Sequence, residues 1–323
     1  MVPTKLKVLV IRFSSIGDIV LTTPVVKELF DKGYEVHYLT KKSFKTVLEH
    51  NPYISTLFTI DSKIEEVVAA IKLHRYEFVI DLHRNLRTRK LSTYLRATYH
   101  RFDKINARKW LAVNFKKISV LPDIHIVDRY LDTLPFEVDH RSRKLDYHIS
   151  DEDHIDLGLK KYIVLVIGAK HATKQIPDDI AKQIIENVTI PVVLIGGPDE
   201  VNKSKSLELS SSVVNAVGKY SINQSASIIQ QASVVITADT GMMHIAAAME
   251  RPIVSIWGNT IPEFGMYPYL PQDMYSVHQV EELGCRPCSK IGYQSCPKGH
   301  FKCMKDQNLT DIITAIDTFL HRF

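Results

Sequence analysis

Short apolar segments recur along the chain, and a helix-like pattern follows most of them. In the first half, "KVLVIRF" (7–13), "EVHYL" (35–39) and "FVIDL" (78–82) are strand candidates, and the first and last are almost entirely apolar. Such segments are typical of parallel strands that helices cover on both faces. The chain therefore predicts an α/β fold with doubly wound parallel sheets.

The same rhythm restarts in the second half at "YIVLVIG" (162–168), after a stretch of prolines, acids and polar clusters over 122–156. We expect the domain junction near residue 150, with a first domain over 1–150 and a second over 151–308. An amphipathic helix is predicted over 309–323. The remaining strand candidates are 191–197, 212–218, 232–241 and 252–258. The helix candidates before 309 are 17–32, 64–74, 86–97, 177–187, 221–231 and 242–250.

The bulk composition is that of a globular protein of ordinary charge. The 323 residues are 45% hydrophobic and 24% charged. No apolar run approaches the roughly 18–20 residues that span a bilayer, and the N-terminus lacks the pattern of a signal peptide. From these features we expect a cytoplasmic protein.

Positive charge is concentrated in one tract, residues 84–117, whose single acid is Asp103. Such a tract suits an anionic partner. A solvated helix face explains the same charges equally well. The lysines and arginines of the tract are at positions 84, 87, 89, 90, 96, 101, 104, 108, 109, 116 and 117.

The first motif with chemical content is "SSIGD" (14–18), directly after the first strand. Gly17 permits a tight turn, and Ser14 and Ser15 can donate hydrogen bonds or cap the helix. Asp18 has two interpretations. It can decorate the first helical turn, where the helix dipole favours an anion, or it can act as a general base that accepts a hydroxyl proton.

The second motif is "IGAKHATKQIP" (167–177), where a loop enters a helix. Thr173 and Lys174 can bind phosphate there, together with main-chain amides. Two ordinary surface lysines, Lys170 and Lys174, are the alternative.

The third motif is "TADTGMMH" (237–244), a strand end, a turn at Asp239, Thr240 and Gly241, and the start of a helix. The free amides of Gly241 and its successors predict an anion site. Two anion-binding helix ends in one domain and a carboxylate in the other suit a reaction in which a diphosphate leaves and a hydroxyl attacks.

Together, "IRFSSIGDIVLTTPVVKEL", "GAKHATKQIP" and "TADTGMMHIAAAMERPIVSIWG" resemble glycosyltransferase family 9, the ADP-heptose:lipopolysaccharide heptosyltransferases. The resemblance covers nearly the whole chain, with the motifs in family order. It implies the GT-B fold, in which two Rossmann-like domains face one another across a cleft. It also implies that helix 309–323 returns to the N-terminal domain.

The resemblance further implies transfer of heptose from ADP-heptose to the lipopolysaccharide inner core on lipid A, with inversion and without a required catalytic metal. Asp18 becomes the general base, and Lys174 stabilises the leaving diphosphate. Donor binding is assigned to Thr173, Lys174, Glu200, Val217, Gly218, Asp239, Thr240, Gly241, Met242 and His244. The acceptor side is expected at Ser14, Ser15, Gly17, Arg84 and Arg87, the two arginines coming from the basic tract.

Two positions depart from the family pattern. Ile176 stands where many relatives carry tryptophan, and Ala238 replaces an acid or asparagine. The exact sugar and acceptor therefore stay open. The alternatives are a family 9 transferase with another nucleotide sugar or glycan acceptor, a GT-B epimerase, and a non-catalytic nucleotide-binding protein. The expected partners are a nucleotide sugar, an anionic lipid-linked glycan and the inner-membrane surface, with no nucleic acid.

All four cysteines, Cys285, Cys288, Cys296 and Cys303, lie near the C-terminus with the spacing C-x2-C-x7-C-x6-C. This spacing raises a structural zinc site. It contains one CxxC pair where a zinc ribbon has two, so reduced thiols or a local disulfide are the alternative.

Overall fold

The computed structural model describes residues 5–140, 143–208 and 210–323. Its strands are β1 (Lys7–Ile11), β2 (Glu35–Lys41), β3 (Thr56–Ile60), β4 (Tyr76–Asp81), β5 (Thr98–Arg101), β6 (Ile163–Val166), β7 (Val192–Ile195), β8 (Val213–Asn215), β9 (Val234–Ala238), β10 (Ile253–Trp257) and β11 (Tyr275–Gln279). Its helices are α1 (Ile16–Val20), α2 (Thr23–Asp31), α3 (Glu65–Lys72), α4 (Leu86–Leu91), α5 (Asn106–Phe115), α6 (Ile126–Leu131), α7 (Asp178–Asn187), α8 (Val201–Lys205), α9 (Ile222–Gln230), α10 (Gly241–Ala248), α11 (Lys302–Lys305) and α12 (Leu309–Arg322). Among the described residues, no helix combines the length and the apolar character needed to cross a membrane.

The strands form two parallel sheets, which confirms the predicted fold class. The first has the order β3-β2-β1-β4-β5, and the second has the order β11-β10-β9-β6-β7-β8. In the first sheet, Ile11 pairs with Leu39 on one side and Asp81 on the other. The strand order reverses between β1 and β4 and between β6 and β9. Ligands of such sheets bind outside the carboxyl ends of the strands at these switch points.

The strands with an almost entirely apolar sequence are buried on both faces of the sheet. Val8, Leu9, Val10 and Ile11 of β1 have no exposed surface, and the strands β6, β7, β9 and β10 are likewise buried throughout. The predicted strands 7–13, 35–39 and 78–82 and all those of the second half are confirmed. Strands β3, β5 and β11, which lie at sheet edges and are only partly buried, were not predicted, whereas the partly buried edge strand β8 was.

The predicted helix over 17–32 is wrong as a single element, since the structure divides it into α1 and α2. The break lies at Leu21 and Thr22. The hydroxyl of Thr22 donates to the Ile19 carbonyl at 2.7 Å, and Pro24 stands at the start of α2, where its missing amide hydrogen costs nothing.

Two compact units divide the chain. The first contains the residues up to Lys104 and Ile126–His148, and the second contains Ile105–His125 and Ile149–Phe323. The boundary after His148 lies close to the junction expected near residue 150. The assignment of Ile105–His125, which contains α5, to the second unit was not expected. Ala112 of α5 packs with Ile261 and Phe264 of that unit, so burial of this apolar face assigns the helix.

Helix α12 packs within the second unit. Its Ile312, Ile316 and Phe319 are buried in the core formed by β6, β7, β9 and β10. These contacts lie within the second unit, and the return of 309–323 to the first domain stays a prediction. The amphipathic pattern predicts a buried face, but it does not say which sheet that face covers.

Candidate functional site

At the switch point of the first sheet, Asp18 is held by a buried arginine that sequence reasoning missed. The Nη2 atom of Arg12 lies 2.6 Å from Oδ1 of Asp18. The main-chain amide and hydroxyl of Ser15 donate to Oδ2 at 3.0 and 2.8 Å. Arg12 also donates to the carbonyls of Ser14 and Leu82, at 2.8 and 2.6 Å. It thereby links the loop after β1 to the loop after β4.

This environment fixes Asp18 as an anion. Burial raises the pKa of its carboxyl group, but the Arg12 charge and the Ser15 hydrogen bonds outweigh burial and lower the pKa from 3.8 to about 2. The side chain keeps 21% of its surface exposed, so a ligand can reach it. Asp18 thus occupies the first turn of α1 with an accessible, oriented carboxylate, and its role as a general base stays a prediction.

The lowered pKa of Asp18 predicts a stability change in acid. Because the folded pKa lies below the unfolded one, the ionised carboxylate stabilises the fold above about pH 4, and this contribution is lost as the pH falls towards 2. We expect the free energy of unfolding of wild type, relative to that of Asp18→Asn, to fall by about 2 kcal/mol between pH 5 and pH 2. Urea unfolding at both pH values measures the difference, and a constant difference contradicts the ion pair.

The remaining residues of the first motif shape this turn. Gly17 is buried in α1, Ser14 is half-buried and Ser15 is exposed. Ser14 offers its carbonyl to Arg12, and Ser15 offers two donors to Asp18. These contacts position the carboxylate, while direct acceptor binding by the serines and Gly17 stays a prediction.

A histidine after β4 also lies in the electrostatic field of Arg12 and Asp18. Burial, followed by the charge of Arg12, lowers the pKa of His83 to about 3, so its ring is neutral at physiological pH. Its Nδ1 atom has no hydrogen-bond partner among the described residues. A neutral imidazole can accept a hydrogen bond from a hydroxyl. The sequence feature that could have indicated His83 is its position directly after the apolar segment "FVIDL".

The structure divides the basic tract between the two units. Arg84 and Arg87 follow β4 in the first unit, and Arg84 is exposed, with its Nη1 atom 3.4 Å from Asp103. Part of the tract is balanced by acids, as in the pairing of Lys90 with Glu65. The positive charges at 108, 109, 116 and 117 belong to the α5 region of the second unit.

In the second unit, the switch point carries a buried ion pair. The Nζ atom of Lys174 lies 2.5 Å from Oδ2 of Asp239, and their side chains are 16% and 10% exposed. The hydroxyl of Thr260 donates to the same oxygen at 2.8 Å. These contacts bring together the loops after β6, β9 and β10. Thr260 belongs to this cluster, although no sequence motif indicated it.

Thr173 is buried and is bound by the main chain of Tyr293. Its hydroxyl donates to the Tyr293 carbonyl at 3.1 Å and accepts from the Tyr293 amide at 2.8 Å. This contact fixes the loop that carries Lys174. Direct contact of the Thr173 hydroxyl with a diphosphate stays a prediction.

The predicted nucleoside side lies at the ends of β7 and β8. Glu200 accepts a hydrogen bond from the Gly197 amide at 2.8 Å and one from Gln175 at 3.3 Å. Val217 is buried, and Gly218 has a φ of +70°, a backbone conformation that favours glycine. These residues lie at the same sheet edge as Lys174, because all strands of this sheet are parallel.

Helix α10 begins beside Asp239. Thr240 precedes its first residue, and the amides of Gly241 and Met242 belong to the first turn, where no carbonyl within the helix can accept from them. An anion can satisfy such amides. His244 is 2% exposed. It therefore lies inside the fold rather than on an open surface.

The cysteine segment supports the unit without forming a recognisable metal centre. The four thiols are free, and no group of three or more His, Cys, Asp or Glu side chains within the described ranges is arranged to hold a metal ion. Burial, followed by the neighbouring Cys285, raises the pKa of Cys288 to about 11, and burial raises that of Cys303 to about 12. The structure does not decide between a zinc site and reduced thiols, and the zinc site stays a prediction.

The chain is similar to known proteins over most of its length. A family model described as "Glycosyltransferase family 9 (heptosyltransferase)" matches residues 65–295. Lipopolysaccharide heptosyltransferase 1 of Campylobacter coli is 22% identical over 290 residues, which cover 79% of this chain and 84% of the relative.

Solved structures agree over almost the whole length. The crystal structure of a family 9 glycosyl transferase from Veillonella parvula matches with a TM-score of 0.78 at 21% identity, covering 98% of both chains. An Escherichia coli heptosyltransferase solved with ADP matches with a TM-score of 0.69 at 19% identity, covering 97% of this chain and 100% of the other. These agreements confirm the GT-B class of the fold.

Proposed function

Because this chain belongs to glycosyltransferase family 9, we propose that it transfers a heptose from ADP-heptose to the inner core of lipopolysaccharide, with inversion at the anomeric carbon. The observation that carries the proposal is the buried pair of Lys174 and Asp239 beside the first turn of α10. A lysine and free helix amides at a switch point form a site for a nucleotide diphosphate. The relatives solved with ADP support this choice of nucleotide.

In the proposed reaction, the acceptor hydroxyl oxygen attacks the anomeric carbon of the donor sugar. The bond from that carbon to the β-phosphate oxygen breaks, and ADP leaves with the electron pair. Asp18 accepts the hydroxyl proton. Lys174 and the amides of Gly241 and Met242 stabilise the negative charge that grows on the diphosphate, which is often the largest contribution to catalysis.

The proposal assigns the two substrates to different sets of residues. Thr173, Glu200, Val217 and Gly218 bind the donor nucleotide, with Asp239, Thr240 and His244 towards its sugar. Ser14, Ser15, Gly17, Arg84 and Arg87 bind the acceptor, whose anionic groups suit the two arginines. No step requires a metal ion, since the charged groups on the described surfaces of the site supply the electrostatic stabilisation.

A donor and acceptor screen tests the function. The full chain is incubated with ADP-heptose or UDP-sugars, with and without a lipid A core acceptor, and nucleotide release is measured. The proposal expects acceptor-dependent release of ADP from ADP-heptose. Confirmed donor binding without acceptor-dependent release contradicts a transferase, and release from another nucleotide sugar corrects the donor. Isomerised free nucleotide sugar is the result that an epimerase gives.

We also propose that the protein contacts an anionic membrane surface through the α5 surface, defined as Arg108, Trp110, Phe115, Lys116 and Lys117. Trp110 and Phe115 are 56% and 59% exposed, and their rings lie 5.4 Å apart. Tryptophan favours the membrane–water interface. Each basic residue near an anionic leaflet contributes about 1 kcal/mol.

Binding to lipid vesicles tests this contact. The double variant Trp110→Ala/Phe115→Ala is expected to bind vesicles containing phosphatidylglycerol about tenfold more weakly than wild type, because it loses the interfacial aromatic area. The control is Leu73→Ala directly after α3, which removes an 84% exposed apolar side chain outside the α5 surface. Equally weakened vesicle binding by both variants would contradict the assignment. Wild-type binding that is the same for neutral and anionic vesicles would contradict it as well.

A further inference from the structure

A carboxamide in the loop after β10 has unsatisfied hydrogen-bonding capacity in the free protein. Asn259 is 2% exposed, and neither its Oδ1 nor its Nδ2 atom has a hydrogen-bond partner in the part of the chain that the structure describes. Buried polar groups almost always have partners. Asn259 is therefore a candidate for hydrogen bonding to a group that binds to the protein.

Asn259 lies between two residues that contact the proposed donor site. On one side, a Cβ atom at Gly258 would lie 3.0 Å from the Thr173 carbonyl, so this loop directly touches the loop that carries Lys174. On the other side, Thr260 donates to Asp239 at 2.8 Å. The unsatisfied carboxamide thus belongs to the loop that closes the Lys174–Asp239 cluster.

The backbone of this loop is fixed on three successive carbonyls. Arg286 donates to the carbonyls of Gly258 and Thr260 at 2.6 and 3.0 Å, and the Cys288 amide donates to the Asn259 carbonyl at 3.0 Å. The cysteine-containing segment therefore holds Asn259 in place. Because the backbone is held, a rotation of the Asn259 side chain, and not a movement of the loop, would bring the carboxamide into contact with a ligand.

The chemistry of a carboxamide selects among the parts of a nucleotide sugar. Its Oδ1 atom accepts and its Nδ2 atom donates. Diphosphate oxygens only accept, so they would leave Oδ1 unsatisfied. A sugar hydroxyl both donates and accepts, so sugar hydroxyls can satisfy both atoms.

We propose that Asn259 is a binding residue for the donor sugar, whose hydroxyl groups exchange hydrogen bonds with its carboxamide. This inference rests on the proposed function in taking a nucleotide sugar as the donor. It makes Asn259 a determinant of sugar specificity, since a site built to pair with a hydroxyl discriminates against sugars that lack it.

Binding of ADP-heptose and of ADP to Asn259→Leu, measured by calorimetry, tests the inference without an acceptor. Leucine has a similar volume and no polar atoms. We expect ADP-heptose to bind about 10- to 100-fold more weakly than to wild type, because two hydrogen bonds to the sugar are lost. The affinity for ADP is expected to stay within about threefold of wild type, and the melting temperature is expected to stay equal or rise.

A second buried carboxamide provides the matched control. Gln307 is 8% exposed, and its Nε2 atom donates to the carbonyls of Trp257 and Cys303 at 3.1 and 2.7 Å. Gln307→Leu is expected to lower the melting temperature without a selective loss of ADP-heptose binding.

Three results would overturn the inference. They are unchanged ADP-heptose binding by Asn259→Leu, an equal weakening of ADP and ADP-heptose, and a loss of stability like that of Gln307→Leu. Failure of the proposed function gives a different result. Wild type would then bind ADP-heptose without transferring the sugar, or would not bind it at all.

Discussion

Replacement of Asp18 by asparagine is expected to lower kcat about 10²- to 10⁴-fold, the usual contribution of a general base, while binding of ADP-heptose stays near wild type. Asparagine keeps an oxygen that can accept from Ser15, but it cannot take up the acceptor proton. The proposed donor residues lie in the second unit and Asp18 in the first, so donor binding is not expected to depend on Asp18. Acceptor-dependent ADP release and calorimetry measure the two quantities.

The low pKa of Asp18 sharpens this prediction. A carboxylate with a pKa of about 2 is a weak base in the free protein, so we expect proton transfer to accompany departure of ADP rather than precede it. The pH profile of kcat/KM should therefore show no limb from Asp18 above about pH 4. The control is Glu77→Gln on β4, an exposed acid of the same unit. Activity of Asp18→Asn within a few-fold of wild type would mean that Asp18 orients the acceptor and takes no proton.

Replacement of Lys174 by methionine is expected to lower kcat about 10²- to 10³-fold, because the variant loses one preorganised charge at the leaving diphosphate. The same change leaves Asp239 buried with Thr260 as its remaining side-chain partner. Breaking a buried ion pair on one side costs about 3–5 kcal/mol. A fall in stability should therefore accompany the fall in activity.

A double variant separates the two effects. Lys174→Met/Asp239→Asn removes both charges, so it should regain most of the stability lost by Lys174→Met and none of the activity. The matched control is Lys170→Met, an exposed lysine of the same loop, which is expected to keep wild-type turnover. If the double variant regained turnover together with stability, Lys174 would be a structural residue. The same conclusion would follow if Lys170→Met lost as much turnover as Lys174→Met.

The strands that bury both faces were predictable from the sequence. Segments such as "KVLVIRF" and "YIVLVIG" are apolar at nearly every position because helices cover both sides of β1 and β6. The edge strands β3 and β11 carry mixed residues, since one side of an edge strand has no neighbouring strand. Local pattern therefore reports burial, and it missed three of the four edge strands, which are only partly buried.

The site was predictable only in part. Asp18 follows a strand of the first sheet, and Lys174 and Asp239 follow strands of the second, all in recognisable motifs. Within each sheet, the parallel arrangement brings the carboxyl ends of the strands to one edge. Arg12 reads in sequence as part of an apolar strand, and Asn259 follows "SIWG" without a motif of its own. Their roles depend on contacts with Asp18 and on the loops held by Arg286, which are distant in sequence.

The sequence by itself determined the α/β class, the two series of βα units, the family and the principal charged residues, because burial and strand-end position leave a local pattern. Only the tertiary structure decided that α5 and α12 belong to the second unit, that Arg12 lowers the pKa of Asp18, and that Asn259 is buried without a partner. These properties arise from contacts between distant segments. A local pattern shows that a side chain is buried, while the fold alone decides what it meets there.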